Sequence, residues 1–270
     1  MRADMHTHSV SSHDSVCRIE DMARSQHSRG TDIFAVTDHF DTDSFQAYDV
    51  FTPIQTAAET VAELNKHSSG QQLILAGVEI SEGFWHPVVY EKIRRLVDYD
   101  VVIGSVHLVK YKELTRAYSG IDFSKLPREI TAEYLDAYFD DMLTMLDTID
   151  FDILAHLTCP LRYINGKYGL GMELTAYREK IETILSEIIR KEIALEVNTS
   201  SLSVLHELMP TADILKKYRA MGGKLLTLGS DAHVAENASI HFDRAIETVK
   251  ALGFDSIFYY KGRKPFELPI

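Results

Sequence analysis

Residues 100–107, DVVIGSVH, show the pattern from which the fold class follows: an apolar run of strand length that ends in a polar side chain, His107. Six further runs repeat this pattern. They are ADMHTH (3–8), DIFAVTDH (32–39), LILAGVEI (73–80), FDILAHL (151–157), ALEVNT (194–199) and KLLTLGSDAH (224–233). Most are continuous in Val, Ile, Leu and Ala, which is typical of strands buried on both faces. The sequence therefore predicts seven such strands.

Amphipathic stretches with helical spacing separate these runs. They lie at 19–30, 58–70, 131–146, 181–188, 214–222 and 245–253, and most end close to a glycine. Strands that alternate with helices along a whole chain predict an α/β fold with a parallel sheet, and seven such units predict a closed or nearly closed barrel. The last stretch, SIFYYKGRKPFELPI (256–270), is expected to add an edge strand made irregular by its two prolines.

Composition limits the possible functions. The chain has 270 residues and a formal net charge of −12, a field that repels nucleic acid. We find no apolar run long enough to span a bilayer and no secretory signal, and the two cysteines form no C-x-x-C pair. We therefore expect a cytoplasmic protein with reduced thiols, without a nucleic-acid or membrane partner.

The polar residues that end the runs are the candidate functional residues. In a parallel barrel the carboxyl ends of all strands meet on one face, where barrel enzymes build their sites. His6 and His8 point the same way if residues 4–8 form a strand. Together with them, the runs bring His39, Glu79, His107, His156, Asp231 and His233 to this face. Buried groups of this kind need partners, and divalent metal ions are the simplest ones.

Three further positions have other candidate roles or alternatives. Asp14 lies in the loop after the first strand, where His13 is an alternative ligand. Asp38 is expected to be a carboxylate that orients a ligand. Asn198 is equally compatible with a turn residue and with a substrate contact.

The motifs in chain order resemble the polymerase-and-histidinol-phosphatase (PHP) superfamily. They are HTH (6–8), TDH (37–39), GVE (77–79), GSVH (104–107), LAH (154–156) and GSDAH (229–233). DILAHLTCPLRY (152–163) and LEVNTSSL (195–202) resemble its monofunctional histidinol-phosphatase branch. The resemblance implies one PHP-type domain over residues 1–270, folded as a distorted (β/α)7 TIM-like barrel.

The resemblance also implies three divalent metal ions, with zinc, manganese and iron all compatible with nitrogen and oxygen ligands. Glu79 would bridge two ions. One of these would also bind His6, His8 and Asp231, and the other His107 and His156. The third ion would bind Asp14, His39 and His233, with Asp14 where some relatives have histidine.

The implied reaction is hydrolysis of L-histidinol phosphate by direct attack of a metal-bound hydroxide on phosphorus. We predict catalytic roles for His233, His39 and Asp38. A guanidinium suits phosphate, so Arg162 and Arg116 are the predicted substrate contacts, with Asn198. Arg116 lies in a long segment, 108–130, expected to be a lid or specificity loop.

Two other functions remain open at this stage. One is a related phosphoesterase that acts on nucleotides or on another small phosphate monoester. The other is a metal-binding regulatory protein without turnover, although an intact ligand at every strand end argues against it. For a histidinol-phosphatase or a related phosphoesterase, the expected partner is a small phosphorylated metabolite. The sequence does not indicate the oligomeric state.

Overall fold

The structure is a computed structural model that describes residues 1–42, 49–67, 72–112 and 115–270. Its main sheet contains the seven predicted strands as parallel neighbours, in the order β1, β2, β4, β5, β8, β9, β10. Their bounds are β1 (Ala3–Thr7), β2 (Ile33–Val36), β4 (Leu73–Ser81), β5 (Val101–Ser105), β8 (Ile153–Leu154), β9 (Ala194–Asn198) and β10 (Leu226–Gly229). The short strand β3 (His39–Asp41) pairs with β4 alongside this path.

The sheet curls so that its first and last strands meet. The backbone N–H of Asp231 donates to the carbonyl of His6 over 2.8 Å, and that of His8 donates to the carbonyl of Ala232 over 2.9 Å. The predicted nearly closed seven-strand barrel is therefore confirmed. Its closing contacts lie at the carboxyl ends of β1 and β10, beside the predicted ligands.

Seven α-helices surround the barrel within the described residues. They are α1 (Ile19–Ser28), α2 (Phe51–His67), α3 (Pro87–Arg94), α4 (Arg128–Thr148), α5 (Arg178–Lys191), α6 (Ala212–Ala220) and α7 (Phe242–Ala251). The apolar stripes predicted from the sequence face inward: Tyr138 and Phe139 of α4 and Ile184 of α5 join one cluster with Val102 and Ile103 of β5. None of the helices is long and apolar enough to cross a membrane, in the part of the chain that is described.

Two helix predictions need correction. Helix α4 begins at Arg128, directly after Pro127, and not after Thr131. Thr131 is buried inside the first turn and donates its hydroxyl to the carbonyl of Pro127. Helix α3 was not among the predicted helical stretches, and it begins at Pro87. Proline is well tolerated in the first turn of a helix, where its missing N–H has no partner to lose. The predicted end of α2 near residue 70 falls outside the described residues.

The chain ends in a hairpin of two antiparallel strands, β11 (Ser256–Lys261) and β12 (Lys264–Pro269), so the single predicted edge strand was incomplete. Arg263 at its tip donates from Nε to Asp152 over 2.5 Å, and Gly262 donates its N–H to Asp100 over 3.0 Å. These aspartates directly precede β8 and β5. The hairpin therefore packs at the amino end of the barrel and leaves the carboxyl end open.

Candidate metal centre

Glu79 lies at the middle of a ring of imidazoles at the carboxyl end of the barrel, and its side chain is fully buried. Nε2 of His107 and Nε2 of His156 each lie 3.1 Å from its Oε1. Its Oε2 lies 2.8 Å from Nδ1 of His39 and 3.2 Å from Nε2 of His6. One carboxylate therefore faces donors from four other strands.

Asp231 forms a second carboxylate position beside this ring. Its Oδ1 lies 3.3 Å from Nε2 of His8 and 3.8 Å from Nε2 of His6. Its backbone adopts a left-handed conformation with φ of 53°, directly after the end of β10. This turn brings the carboxylate to His6 in β1 and to His8 directly after it, the two histidines predicted to share a face.

Asp14 faces the last pair of imidazoles. Its carboxylate oxygens lie 3.5 Å from Nε2 of His39 and 3.3 Å from Nε2 of His233, and these two Nε2 atoms are 3.2 Å apart. His13 also borders the cavity, but its Nδ1 pairs with Asp41 over 3.6 Å, and its side chain is 68% exposed. Of the two candidates in this loop, the geometry favours Asp14 as the ligand.

The donor atoms fit divalent ions. Among the described residues, four sets of donor atoms lie within 4.8 Å of one another: His8, His39 and His233; His6, His8 and Asp231; His6, Glu79 and His156; and His39, Glu79 and His107. Nε2 of His6, Nε2 of His8, Nδ1 of His39 and Oε2 of Glu79 are buried without a well-aligned hydrogen-bond partner. Buried polar atoms without a partner are costly, and bound cations would satisfy them.

The charges in the ring are strongly coupled. Burial by itself would raise the pKa of Glu79, but the imidazoles of His6, His107 and His39 hold it well below its usual range. Burial opposes protonation of His39 as well, yet the neighbouring Glu79 and Asp14 raise its pKa to about 10. His8 shows the opposite shift, because burial and the adjacent His39 and His233 lower its pKa well below 6.5. The buried carboxylates thus stay ionised only because positive charge surrounds them, which is the charge that metal ions supply.

Asp38 lies behind the ring and does not face the cavity. Its carboxylate accepts hydrogen bonds from the N–H and hydroxyl of Ser9, at 2.6 and 2.7 Å, and from the hydroxyl of Ser12 at 2.7 Å. The Ser12 oxygen in turn accepts the N–H of His39 over 3.0 Å. Asp38 therefore organises the loop that carries Asp14.

An open cavity of ≈ 520 Å³ lies above the ring and is bordered by His39, His107, His156, Asp231 and His233. Arg162 is the one arginine or lysine among the described residues that line it. Its Nη1 donates to the hydroxyl of Ser200 over 3.1 Å and lies 3.8 Å from Oδ2 of Asp231. This guanidinium therefore lies at the cavity, beside the candidate ligand Asp231.

The other two predicted substrate contacts lie away from the cavity lining. Arg116, in the short strand β7 (Arg116–Ala117) that pairs with β6 (Leu108–Val109), is exposed. Asn198 is buried, and its amide oxygen accepts the N–H and the hydroxyl of Ser200. It fixes the turn after β9. Residues 113 and 114 of the predicted loop are outside the described part of the chain.

Sequence reasoning missed several residues of this site. Asp41 accepts a 2.7 Å hydrogen bond from Ser81 and lies 3.5 Å from Nδ1 of His107. It follows His39 by two residues on the same face of β3, so strand alternation was a usable signal. Glu196 precedes Asn198 by two residues in β9, so the same alternation could have indicated it, but it was not predicted. Tyr118, Cys159 and Tyr163 also line the cavity; the last two lie within DILAHLTCPLRY (152–163), but none of the three was predicted as a site residue.

The comparisons with known proteins agree with this geometry. The sequence matches the PHP domain family over residues 4–200. The chain belongs to that family. Within it, the chain is 28% identical to a probable histidinol-phosphatase of Clostridium acetobutylicum over 262 residues, which cover 96% of each protein. It is 30% identical to a histidinol-phosphatase of Lactococcus lactis over 179 residues, or 64% of each.

The fold of this PHP domain is similar to that of a solved structure, histidinol phosphate phosphatase from Lactococcus lactis in complex with zinc, L-histidinol and phosphate. The TM-score is 0.77 at 24% identity, with 98% of each chain covered. A putative histidinol phosphatase from Listeria monocytogenes gives a TM-score of 0.63 at 15% identity, covering 90% of this chain and 99% of that one. At these identities the structures establish the PHP fold.

Proposed function

We propose that this PHP domain protein is a metal-dependent phosphatase that hydrolyses L-histidinol phosphate to L-histidinol and phosphate, a step of histidine biosynthesis. The observation that carries the proposal is the convergence of imidazoles and carboxylates from six strands and the loops that follow them, with Glu79 at the centre, below a cavity bordered by the guanidinium of Arg162. The names of the relatives supply the substrate.

Three divalent ions are the proposed cofactors, and zinc, manganese and iron all suit this donor set. Glu79 would be shared by two of them, with His6, His8 and Asp231 on one side and His107 and His156 on the other. Asp14, His39 and His233 would hold the third. When bound, such ions supply positive charge to the phosphoryl oxygens and acidify water.

The residues of the chain itself bind and orient the phosphate ester. Arg162 presents a planar fork that matches two phosphoryl oxygens, and its hydrogen bond to Ser200 fixes the fork at the cavity wall. Burial disfavours the charged form, but Asp231 keeps the pKa of Arg162 above its usual value. The guanidinium therefore remains a cation at every pH at which the protein is folded.

The predicted catalytic role of His39 and His233, which border the cavity, is to hold the third ion. An imidazole that binds metal through one nitrogen and is hydrogen-bonded through the other has no proton for the departing alkoxide, so water in the open cavity would supply it. His233 is oriented by its Nδ1, which donates to the backbone carbonyl of Asp231 over 2.9 Å. Asp38 contributes indirectly, since it positions the loop beside these histidines. The ligands span residues 6 to 233, so we propose that the chain acts as one domain.

The proposed location is the cytoplasm, where biosynthetic phosphate esters occur. Cys17 and Cys159 are both buried and unpaired, which fits a reducing compartment. The proposed partner is a small phosphorylated metabolite.

The test is a comparison of kcat/KM for the metal-loaded protein across phosphate esters. We expect L-histidinol phosphate to exceed p-nitrophenyl phosphate and nucleoside monophosphates by about 100-fold or more, as expected of a site that binds its substrate through polar groups. A preference for nucleotides would contradict histidinol phosphate as the substrate, while the proposed phosphatase activity would stand. Metal-loaded protein that hydrolyses none of these esters would contradict the proposal and favour a regulatory metal protein.

A further inference from the structure

Glu196 lies in β9, outside the ring of ligands, and its side chain is only 1% exposed. Its two carboxylate oxygens have different partners. Oε1 lies 2.6 Å from Nδ1 of His6, and Oε2 accepts the backbone N–H of His156 over 2.6 Å. A weaker contact of 3.2 Å joins Oε2 to the side-chain amide of Asn198. One buried carboxylate therefore holds two candidate ligands that come from β1 and from the end of β8.

The bond to His6 determines which nitrogen of the imidazole is free. A carboxylate accepts hydrogen bonds, so Nδ1 of His6 carries the proton that it donates to Glu196. In the neutral imidazole, which is the form that binds a metal ion, Nε2 is then left with its lone pair, and it lies 3.2 Å from Oε2 of Glu79 and 3.8 Å from Asp231. The buried Nε2 has no well-aligned hydrogen-bond partner among the described residues. Glu196 thus presents the lone pair of His6 to the metal position.

The bond to His156 acts on the backbone. His156 has a φ of 22°, a conformation that residues other than glycine rarely adopt. The N–H of this residue would lack a partner in the barrel interior without Glu196. With the backbone held in this way, Nε2 of His156 reaches Oε1 of Glu79 at 3.1 Å.

Gly229 makes room for the carboxylate. A Cβ at this position of β10 would overlap Oε1 of Glu196 and lie 2.8 Å from Cβ of His6. Because Gly229 is not among the positive-φ glycines, the need for glycine here is one of space and not of backbone conformation. Strand β10, which lies between β9 and β1, is therefore shaped around this single carboxylate.

We propose that Glu196 is the positioning residue for two metal positions that share Glu79: it sets the tautomer of His6 in one and the backbone of His156 in the other. The proposal rests on the proposed function only in that these positions bind metal. It does not depend on the substrate.

Glu196→Gln tests the proposal with almost no change in shape. The amide has one accepting atom and one donating group. If its oxygen accepts the N–H of His156, its nitrogen donates to His6 Nδ1 and drives the imidazole proton to Nε2. If the amide is reversed, its nitrogen faces the N–H of His156. Either orientation breaks one of the two functions.

We expect Glu196→Gln to remain folded by circular dichroism and to bind zinc about 10- to 100-fold more weakly, with fewer zinc ions per chain after dialysis against buffered zinc. Gly229→Ala, which keeps the glutamate but displaces its carboxylate, should show the same loss. The matched control is Asp152→Asn, since it neutralises another buried carboxylate at the opposite end of the barrel. It should keep wild-type zinc content.

A measurement on the unaltered protein covers the case in which the variants do not fold. In zinc-loaded protein with ¹⁵N-labelled histidine, the His6 signal, assigned by its absence in His6→Gln, should show a protonated Nδ1 and a zinc-bound Nε2. The reverse tautomer would overturn the proposal. So would wild-type zinc affinity in both folded variants. If the protein bound zinc as expected but hydrolysed no phosphate ester, the proposed function would fail while the role of Glu196 would stand.

Discussion

At the scale of single residues, His107 is the most informative ligand to remove. It lies at the cavity floor with a side chain that is 16% exposed, and its Nε2 is 3.1 Å from Glu79. Because it is not part of the apolar core, His107→Ala should leave the fold intact. We expect lower metal content and a fall in kcat/KM of at least about 100-fold, measured by metal analysis and phosphate release. His67→Ala is the control, since His67 is exposed on α2 and pairs with Glu63. Full metal content and near-normal activity in His107→Ala would contradict the assigned ligand.

The substrate side of the cavity is tested by Arg162→Lys. Lysine keeps the charge but loses the two-pronged contact with phosphate, so we expect unchanged metal content. The KM and the inhibition constant of inorganic phosphate should rise about tenfold, the cost of one charged hydrogen bond. Arg116→Lys is the matched control, because Arg116 is exposed and does not line the cavity. If the two substitutions changed KM and the inhibition constant of phosphate equally, the assignment of Arg162 as the phosphate contact would be wrong.

At the scale of elements, strand β5 depends on a glycine. A Cβ at Gly104 would lie 2.7 Å from the ring of Phe151, between β5 and the start of β8. Gly104→Ala should therefore lower the free energy of unfolding by about 1–3 kcal/mol, the usual cost of overpacking. Urea unfolding measures this change. Gly120→Ala, where a Cβ meets nothing within 4 Å, should stay within about 0.5 kcal/mol of the parent. Equal stability of both variants would show that Phe151 moves freely.

The helices and strands also show which parts of the fold and of the candidate site could be predicted from the sequence. The strands were predictable because each is a short apolar run, and the convergence of the candidate ligands because most runs end in a polar side chain on one face of the barrel. Helix α3 and the start of α4 were not predicted, since proline marks both a loop and the first turn of a helix. Contacts such as Glu196 with His6 join residues 190 positions apart, and no local pattern encodes them. Arg116 shows the converse: position in the chain suggested a substrate contact, and the strand pairing turns it outward.

At the scale of the whole molecule, the metal positions join the two ends of the barrel sheet. His6 lies in β1 and His8 directly after it, while Asp231 and His233 follow β10. Bound ions would link these residues across the closing contacts of the barrel. Ions that bind only the folded chain stabilise it by mass action, about 2.7 kcal/mol at 100 times their dissociation constant. Chelation should therefore lower Tm by about 5–10 °C for a chain of this size. Differential scanning calorimetry before and after chelation checks this, and an unchanged Tm would contradict ion binding at the closure.

The most direct test of the central claim is phosphate release from L-histidinol phosphate by the purified protein as prepared, after chelation, and after manganese or zinc is added back. We predict that phosphate release is rapid, that chelation abolishes it and that added metal restores it. Release that survives removal of metals, verified by elemental analysis, would contradict a phosphatase built on the ring of ligands around Glu79.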